Sequence, residues 1–181
     1  MTDFDFLDFQ VCDDSSKEKQ TVEDIISKFE ELNFINNNSW KILVVKNNKK
    51  KIKEEALESG VFNAVSISKV SPKIEDIFEQ ITDHRYSFIL EIASSAFENM
   101  SEDTDTSKLD FNQLKALVYF ELRKITPDKK LRKSSPNDWL RILHGLGKDF
   151  DRVDSSCTDI LAEDFSWEKV MGSYYSQLEA E

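Results

Sequence analysis

Glycine and proline are scarce in this sequence, at 4 and 3 of 181 residues. A turn-rich all-β sandwich needs more of both, so long helices are favoured. Cysteine and histidine are scarcer still: Cys12, Cys157, His84 and His144 are the whole set. No two of them lie within ten residues of each other, so no structural zinc spacing exists and no metal ligand is named. A Ser-His-Asp or Cys-His centre would need one of the same two histidines, for which structural roles suffice. No run of 18 apolar residues is present to span a bilayer. The stretch from Met1 to Asp14 is acidic where a secretory signal needs a positive and then an apolar region. The expectation is therefore a cytoplasmic protein whose two cysteines stay reduced.

Acid is abundant. Asp plus Glu is 35 against 24 Lys plus Arg, a formal charge of −11. Such a chain is repelled at long range by nucleic acid and anionic membranes and attracted to basic partners. The charge is unevenly spread: residues 34–53 carry +6 and residues 111–133 carry +5, inside acidic surroundings. Lys49, Lys50 and Lys51 in the first block, and Lys129, Lys130, Arg132 and Lys133 in the second, are candidate phosphate or nucleic-acid contacts. The same residues have a plainer use, pairing with the acidic blocks or lying solvated on the surface.

Residues 1–20 read as an acidic and aromatic mobile arm. Phe4, Phe6 and Phe9 alternate with Asp3, Asp5 and Asp8, a pattern suited equally to an apolar groove with a basic rim on a protein partner and to phenylalanines that fold back on the domain. Ordering each residue costs roughly 1–2 kcal/mol of backbone entropy. Three phenylalanines return at most about 1.5–3 kcal/mol each. Residues 1–14 are thus expected to add little to folding and much to binding.

The rest divides into an α/β unit over 21–97, an acidic linker over 98–108 and a helical unit over 109–181. A first helix is expected from Thr21, with Thr21 and Asp24 as a capping box, Val22, Ile25, Ile26, Phe29 and Leu32 as its stripe, and the Asn36-Asn37-Asn38-Ser39 run as its stop. Ile42 to Val45 predicts a strand buried on both faces. A short helix follows over Lys49 to Glu58, then a strand within 61–69. Ser71-Pro72 opens a helix whose inward stripe is Ile74, Ile77, Phe78 and Ile81, and 84–94 is a third candidate strand, or else the start of a helix running to Met100. In the C-terminal unit, Asp110 caps a central helix, Ser135-Pro136 starts another and Ser166 opens the last. The fold class is α/β or α+β: a small three-stranded sheet with packed helices, followed by an all-helical part.

The order strand, helix, strand, helix, strand implies a parallel sheet and resembles a response-regulator receiver. In that family the first strand leads into an acidic pair that holds magnesium, and the third ends in a phosphorylatable aspartate. Here KILVV is followed by Lys46, Asn47 and Asn48, and Glu91 stands at the acceptor place. The resemblance therefore implies a degenerate module that is not phosphorylated.

Other motifs fail on their chemistry. HGLGKD at 144–149 lacks a phosphate loop's hydroxyl, since Asp149 follows Lys148, and its first glycine, since position 142 is Ile. Asp103, Asp105 and Ser107 imitate a calcium loop, but Lys108 and Leu114 occupy its glycine and glutamate positions. Glu91, an acid inside the run FILEI, is expected to be paired if buried, with His84 or Arg85 the sequence-near candidates. No catalytic residue or cofactor is implied. The sequence favours a non-catalytic protein-interaction module, such as a regulatory adaptor, complex subunit or inhibitor, with a basic-surfaced protein partner and no membrane association. The alternatives are a subunit that meets nucleic acid within a larger complex and an enzyme with an unlocated carboxylate site.

Overall fold

The computed structural model describes residues 8–52, 62–97, 108–134, 142–143, 145–147, 150–153, 155 and 157–170. Strands β1 (Phe9–Val11), β2 (Lys41–Asn47), β3 (Val65–Lys69) and β4 (Tyr86–Ala93) form one sheet in the order β1-β2-β4-β3. The main helices among the described residues are α1 (Lys17–Lys28), α2 (Asn33–Asn37), α3 (Pro72–Thr82) and α4 (Phe111–Leu122). The fold is α+β: a mixed four-stranded sheet with helices packed on it.

Three strands were expected, all parallel; the structure has four, of mixed direction. β2 and β4 are parallel, with Lys41 opposite Tyr86 and Asn47 opposite Ala93. β3 runs antiparallel to β4, with Val65 opposite Ile92. The reason lies at one end of the sheet. The Val70 amide, just past β3, donates to the Ser87 carbonyl at 3.0 Å. The chain leaves β3 and enters β4 at the same end, so α3 is an excursion within a hairpin and not a crossover. A receiver keeps its sheet parallel, so the receiver resemblance does not extend to the topology.

The extra strand comes from the stretch read as an arm. β1 pairs antiparallel with β2, with Gln10 opposite Lys46. The Asn48 amide donates to the Asp8 carbonyl and the Cys12 amide to the Val44 carbonyl, both at 2.9 Å. Without β1, the apolar strand β2 would present a bare edge. Residues 1–7 lie outside the described residues.

α1 also starts earlier than its sequence suggests. Ser16 is its N-cap and accepts from the Lys19 amide at 3.3 Å. An Asx turn sets this up, in which Ser15 donates to the Asp13 carboxylate through its amide and hydroxyl. Thr21 lies inside the helix and donates to the Lys17 carbonyl at 2.7 Å, so it is not a cap. Extended backbone at Phe29 ends α1. The asparagine run closes the separate α2, where Ser39 takes φ 55°.

Helix α4 is capped as expected: the Asp110 carboxylate accepts from the Gln113 amide at 2.8 Å, and the Gln113 side chain accepts from the Asp110 amide at 2.7 Å. Beyond it, the described residues are only partly helical. Ile125 and Leu131 form an antiparallel bridge around a turn closed by the Thr126 amide on the Lys130 carbonyl at 2.9 Å. Residues 167–170 are helical, as the Ser166 start implies. The Ser135-Pro136 start, most of the 49–58 helix and the linker over 98–107 lie outside the described residues.

One hydrophobic cluster joins the sheet to both sets of helices. It contains Ile42 and Val44 of β2, Phe88, Leu90 and Ile92 of β4, Val22, Ile25 and Ile26 of α1, and Leu114, Leu117 and Val118 of α4. Tyr119 is its aromatic hub, with ring centroids 4.5 Å from Phe29 and 5.3 Å from Trp167. Its hydroxyl donates to Glu31 at 2.6 Å, which satisfies the one polar atom of a fully buried ring. Gly145 lies under Trp167, where a Cβ would come within 2.2 Å of the indole.

Candidate functional site

Of the residues singled out by sequence, some pair with acids, some are exposed and some lie outside the described residues. Asp3, Phe4, Asp5 and Phe6 belong to the last group. Asp8 pairs with Lys49, and Phe9 is exposed on β1. Lys50 lies 3.8 Å from Glu91. Lys129 reaches Glu75 at 2.8 Å and Lys130 pairs with Asp128 at 2.5 Å. The Arg132 amide donates to the Lys124 carbonyl at 2.8 Å. Lys51 and Lys133 are exposed. Lys49, Lys50 and Lys129 thus serve as counter-ions to Asp8, Glu91 and Glu75.

Glu91 is half-buried, and its partners are not His84 or Arg85. Asn47 donates to it from the neighbouring strand at 3.0 Å and Lys50 approaches it. His84 and Arg85 precede β4 and so stand at its opposite end. Sequence distance misled here because a strand carries its ends far apart, at about 3.3 Å per residue.

Two buried acids that the sequence did not flag have opposite fates. Burial raises the pKa of Glu121 and outweighs its hydrogen bonds with Lys124 and with the Ile67 amide, the latter at 3.0 Å. Glu121 therefore covers an outward amide of the edge strand β3 from the end of α4. For Glu75 burial also acts upward, but hydrogen bonds from Lys129 and Arg85 prevail and hold the carboxyl below its usual range.

Nucleophilic chemistry finds little support among the described residues. Burial, with Asp110 and Asp159 adding to it, pushes the Cys157 thiol up to about 12. Burial, then Glu18, raises Cys12. Neither is a thiolate at neutral pH. His84 is exposed, with Nδ1 3.0 Å from the Lys41 ammonium, and His144 lies outside the described residues. No three His, Cys, Asp or Glu side chains among the described residues converge on a metal-sized site. The surface depression lined by Phe120, Arg123, Lys124, Arg132 and Ser134 encloses no room for a water molecule. No helix among the described residues is long and apolar enough to cross a membrane.

The distinctive feature is α3, whose isoleucines are not inward as its pattern predicts. Ile74, Ile77 and Ile81 were expected inward, yet they are 41%, 40% and 75% exposed. The residue α3 buries is Glu75, whose side chain is 4% exposed. Arg85 Nε donates to Glu75 at 3.1 Å, and the same guanidinium pairs with Asp76 and Glu79, both at 3.0 Å. Lys129 closes on Glu75 from the turn after α4. Rolling α3 to bury its isoleucines would break all of these pairs and strand Arg85. The helix accordingly turns Glu75 to the body and leaves the isoleucines, like Asp76 and Glu79, partly or largely in solvent. Only Phe78, half-buried against Tyr86 with centroids 5.7 Å apart, partly follows the expectation.

Comparison of the chain with protein-family models, with curated proteins and with solved structures finds no match.

Proposed function

We propose that this protein is a non-catalytic, cytoplasmic protein-interaction module, acting as a regulatory adaptor, complex subunit or inhibitor that docks through α3. The observation that supports this reading is the outward stripe of Ile74, Ile77 and Ile81. Single exposed apolar residues are ordinary, but three aligned on one helix face, with the helix held by the buried Glu75, suit helix-mediated recognition. The formal charge of −11 favours basic protein partners and opposes nucleic acid. The ion pairing of Lys49, Lys50, Lys129 and Lys130 also weighs against phosphate contacts by those side chains.

The test is quantitative capture of partners from native cells with the tagged full chain and with an Ile77→Asp, Ile81→Asp variant. Both positions are exposed, so folding and melting temperature should hold. Partners should be lost from the variant. Undiminished capture by a folded variant would overturn the proposal.

A further inference from the structure

We propose that the outer edge of β1 pairs antiparallel with β1 of a second copy of this chain, about a two-fold axis at Gln10; this surface is separate from α3 and does not depend on it. Backbone accounting comes first. β1 and β3 are the outer strands of the sheet. On β3, Glu121 takes the outward Ile67 amide at 3.0 Å. On β1, the Cys12 amide bonds to the Val44 carbonyl and the Asn48 amide to the Asp8 carbonyl. Inward and outward groups alternate along an antiparallel strand, so Asp8, Gln10 and Cys12 face β2, while Phe9 and Val11 turn their amides and carbonyls away from it. No strand among the described residues pairs with that outer side. The side chains of Phe9 and Val11 are exposed as well, at 49% and 60%. They stand opposite Asn47 and Val45, on the face of the sheet away from the core residues Ile42 and Val44. α1 leaves the edge open: it lies over β2, where Glu18 pairs with Lys46 and Lys19 reaches the Ile42 carbonyl.

Register selects the occupant. Outward groups must meet outward groups, which restricts the pairing of two β1 strands to a few registers. With Gln10 opposite Gln10 of the other copy, each Phe9 meets a Val11 and each such pair exchanges backbone hydrogen bonds. These are aromatic–β-branched cross-strand pairs, a favourable class. Asp8 then lies opposite Cys12, so no acid of this stretch faces an acid. The next register in one direction puts Phe9 opposite Asp13 and Asp8 opposite Asp14, where like charges oppose each other. The next in the other direction keeps only a Phe9–Phe9 pair within β1. The edge is thus its own complement in one register, and the pairing is isologous and closed. Both bodies are acidic, and their repulsion is screened beyond about 8 Å at physiological ionic strength. Salt should therefore strengthen this dimer, whereas it would weaken the pairing of β1 with a basic strand from another protein.

So short an edge belongs with contacts below about 1,200 Å², which associate weakly and transiently. The experiment is therefore sedimentation equilibrium of the full chain up to about 1 mM, at low and at high salt. The full chain should show a monomer–dimer equilibrium that tightens as salt is raised. Val11→Pro removes an outward donor and no bond to β2, a placement that edge strands tolerate. Phe9→Lys lowers the net negative charge yet breaks the apolar pair. Each should weaken dimerisation by about tenfold or more, with the melting temperature nearly unchanged, and Ile77→Asp on α3 should leave it unaltered. Register is read by oxidative cross-linking. Gln10→Cys should give a covalent dimer, because residues facing each other across this axis have Cα atoms about 4.5 Å apart. Ser68→Cys on β3 should not, nor should the unsubstituted chain, whose Cys12 and Cys157 are buried. A full chain that stays monomeric, a dimer that salt dissociates, one that survives both β1 substitutions, or cross-linking at position 68 in place of position 10 would each overturn the proposal. None of these outcomes bears on partner capture through Ile77, so the two readings fail separately.

Discussion

Replacing Glu75 by Gln tests whether ion pairs set the orientation of α3. The substitution keeps the volume and removes the charge from a carboxylate whose side chain is 4% exposed. It weakens the contacts with Arg85 at 3.1 Å and Lys129 at 2.8 Å. A hydrogen bond to a charged group contributes about 1.5–3 kcal/mol. Arg85 and Lys129 are 47% and 29% exposed and recover hydration when the pair is broken, so the two contacts together should cost about 2 kcal/mol. For a chain of this size that lowers the melting temperature by about 4–8 °C. The pH dependence has a definite sign. The folded pKa of Glu75 is depressed, so its stabilisation is complete above the unfolded value, roughly pH 4–5. It is lost as pH falls through the folded value. In urea unfolding, the gap between wild type and Glu75→Gln should be constant from pH 8 to pH 6 and should narrow toward the lowest pH at which both remain folded. Amide exchange should accelerate in α3 more than in β4. Equal urea midpoints at pH 7, or a gap that widens on acidification, would refute the claim that this carboxylate anchors the helix.

Glu121 should behave in the opposite sense. Its pKa is raised in the folded state, so its ionised form costs stability as pH rises above the unfolded value. Glu121→Gln should be nearly neutral or stabilising at pH 7, whereas Glu121→Ala, which leaves the Ile67 amide without its acceptor, should cost about 1–3 kcal/mol in the same urea assay. Gly145→Ala should lose about 1–3 kcal/mol by thermal melting and perturb Trp167 fluorescence, because the added methyl meets the indole; an unchanged melting temperature would show that Trp167 can move aside. Deleting residues 2–14 removes β1 and the buried Cys12, so it should lower the melting temperature by several degrees, on the order of the loss of one buried side chain and a strand pairing. Unaltered melting would return β1 to the status of an arm.

What the sequence determined by itself is local. The β-branched run Ile42 to Val45, the Ser71-Pro72 start, the Asp110 cap and the apolar run before Ala93 each form the element that their chemistry dictates. In these segments periodicity and capping act within a few residues and need no distant partner. Strand direction and neighbours were not legible, because β3 and β4 join through a helix that either a crossover or a hairpin excursion could contain. β1 was hidden because Phe9–Val11 is too short to signal a strand without the β2 edge it covers. The facing of α3 was decided by tertiary structure alone. Its amphipathic pattern predicts apolar residues inward, but Arg85 and Lys129, from segments before β4 and after α4, neutralise Glu75 in place. A helix whose one buried acid is satisfied by residues outside it can leave its isoleucines partly in water, and no property of residues 72–82 taken alone distinguishes it from one that buries them.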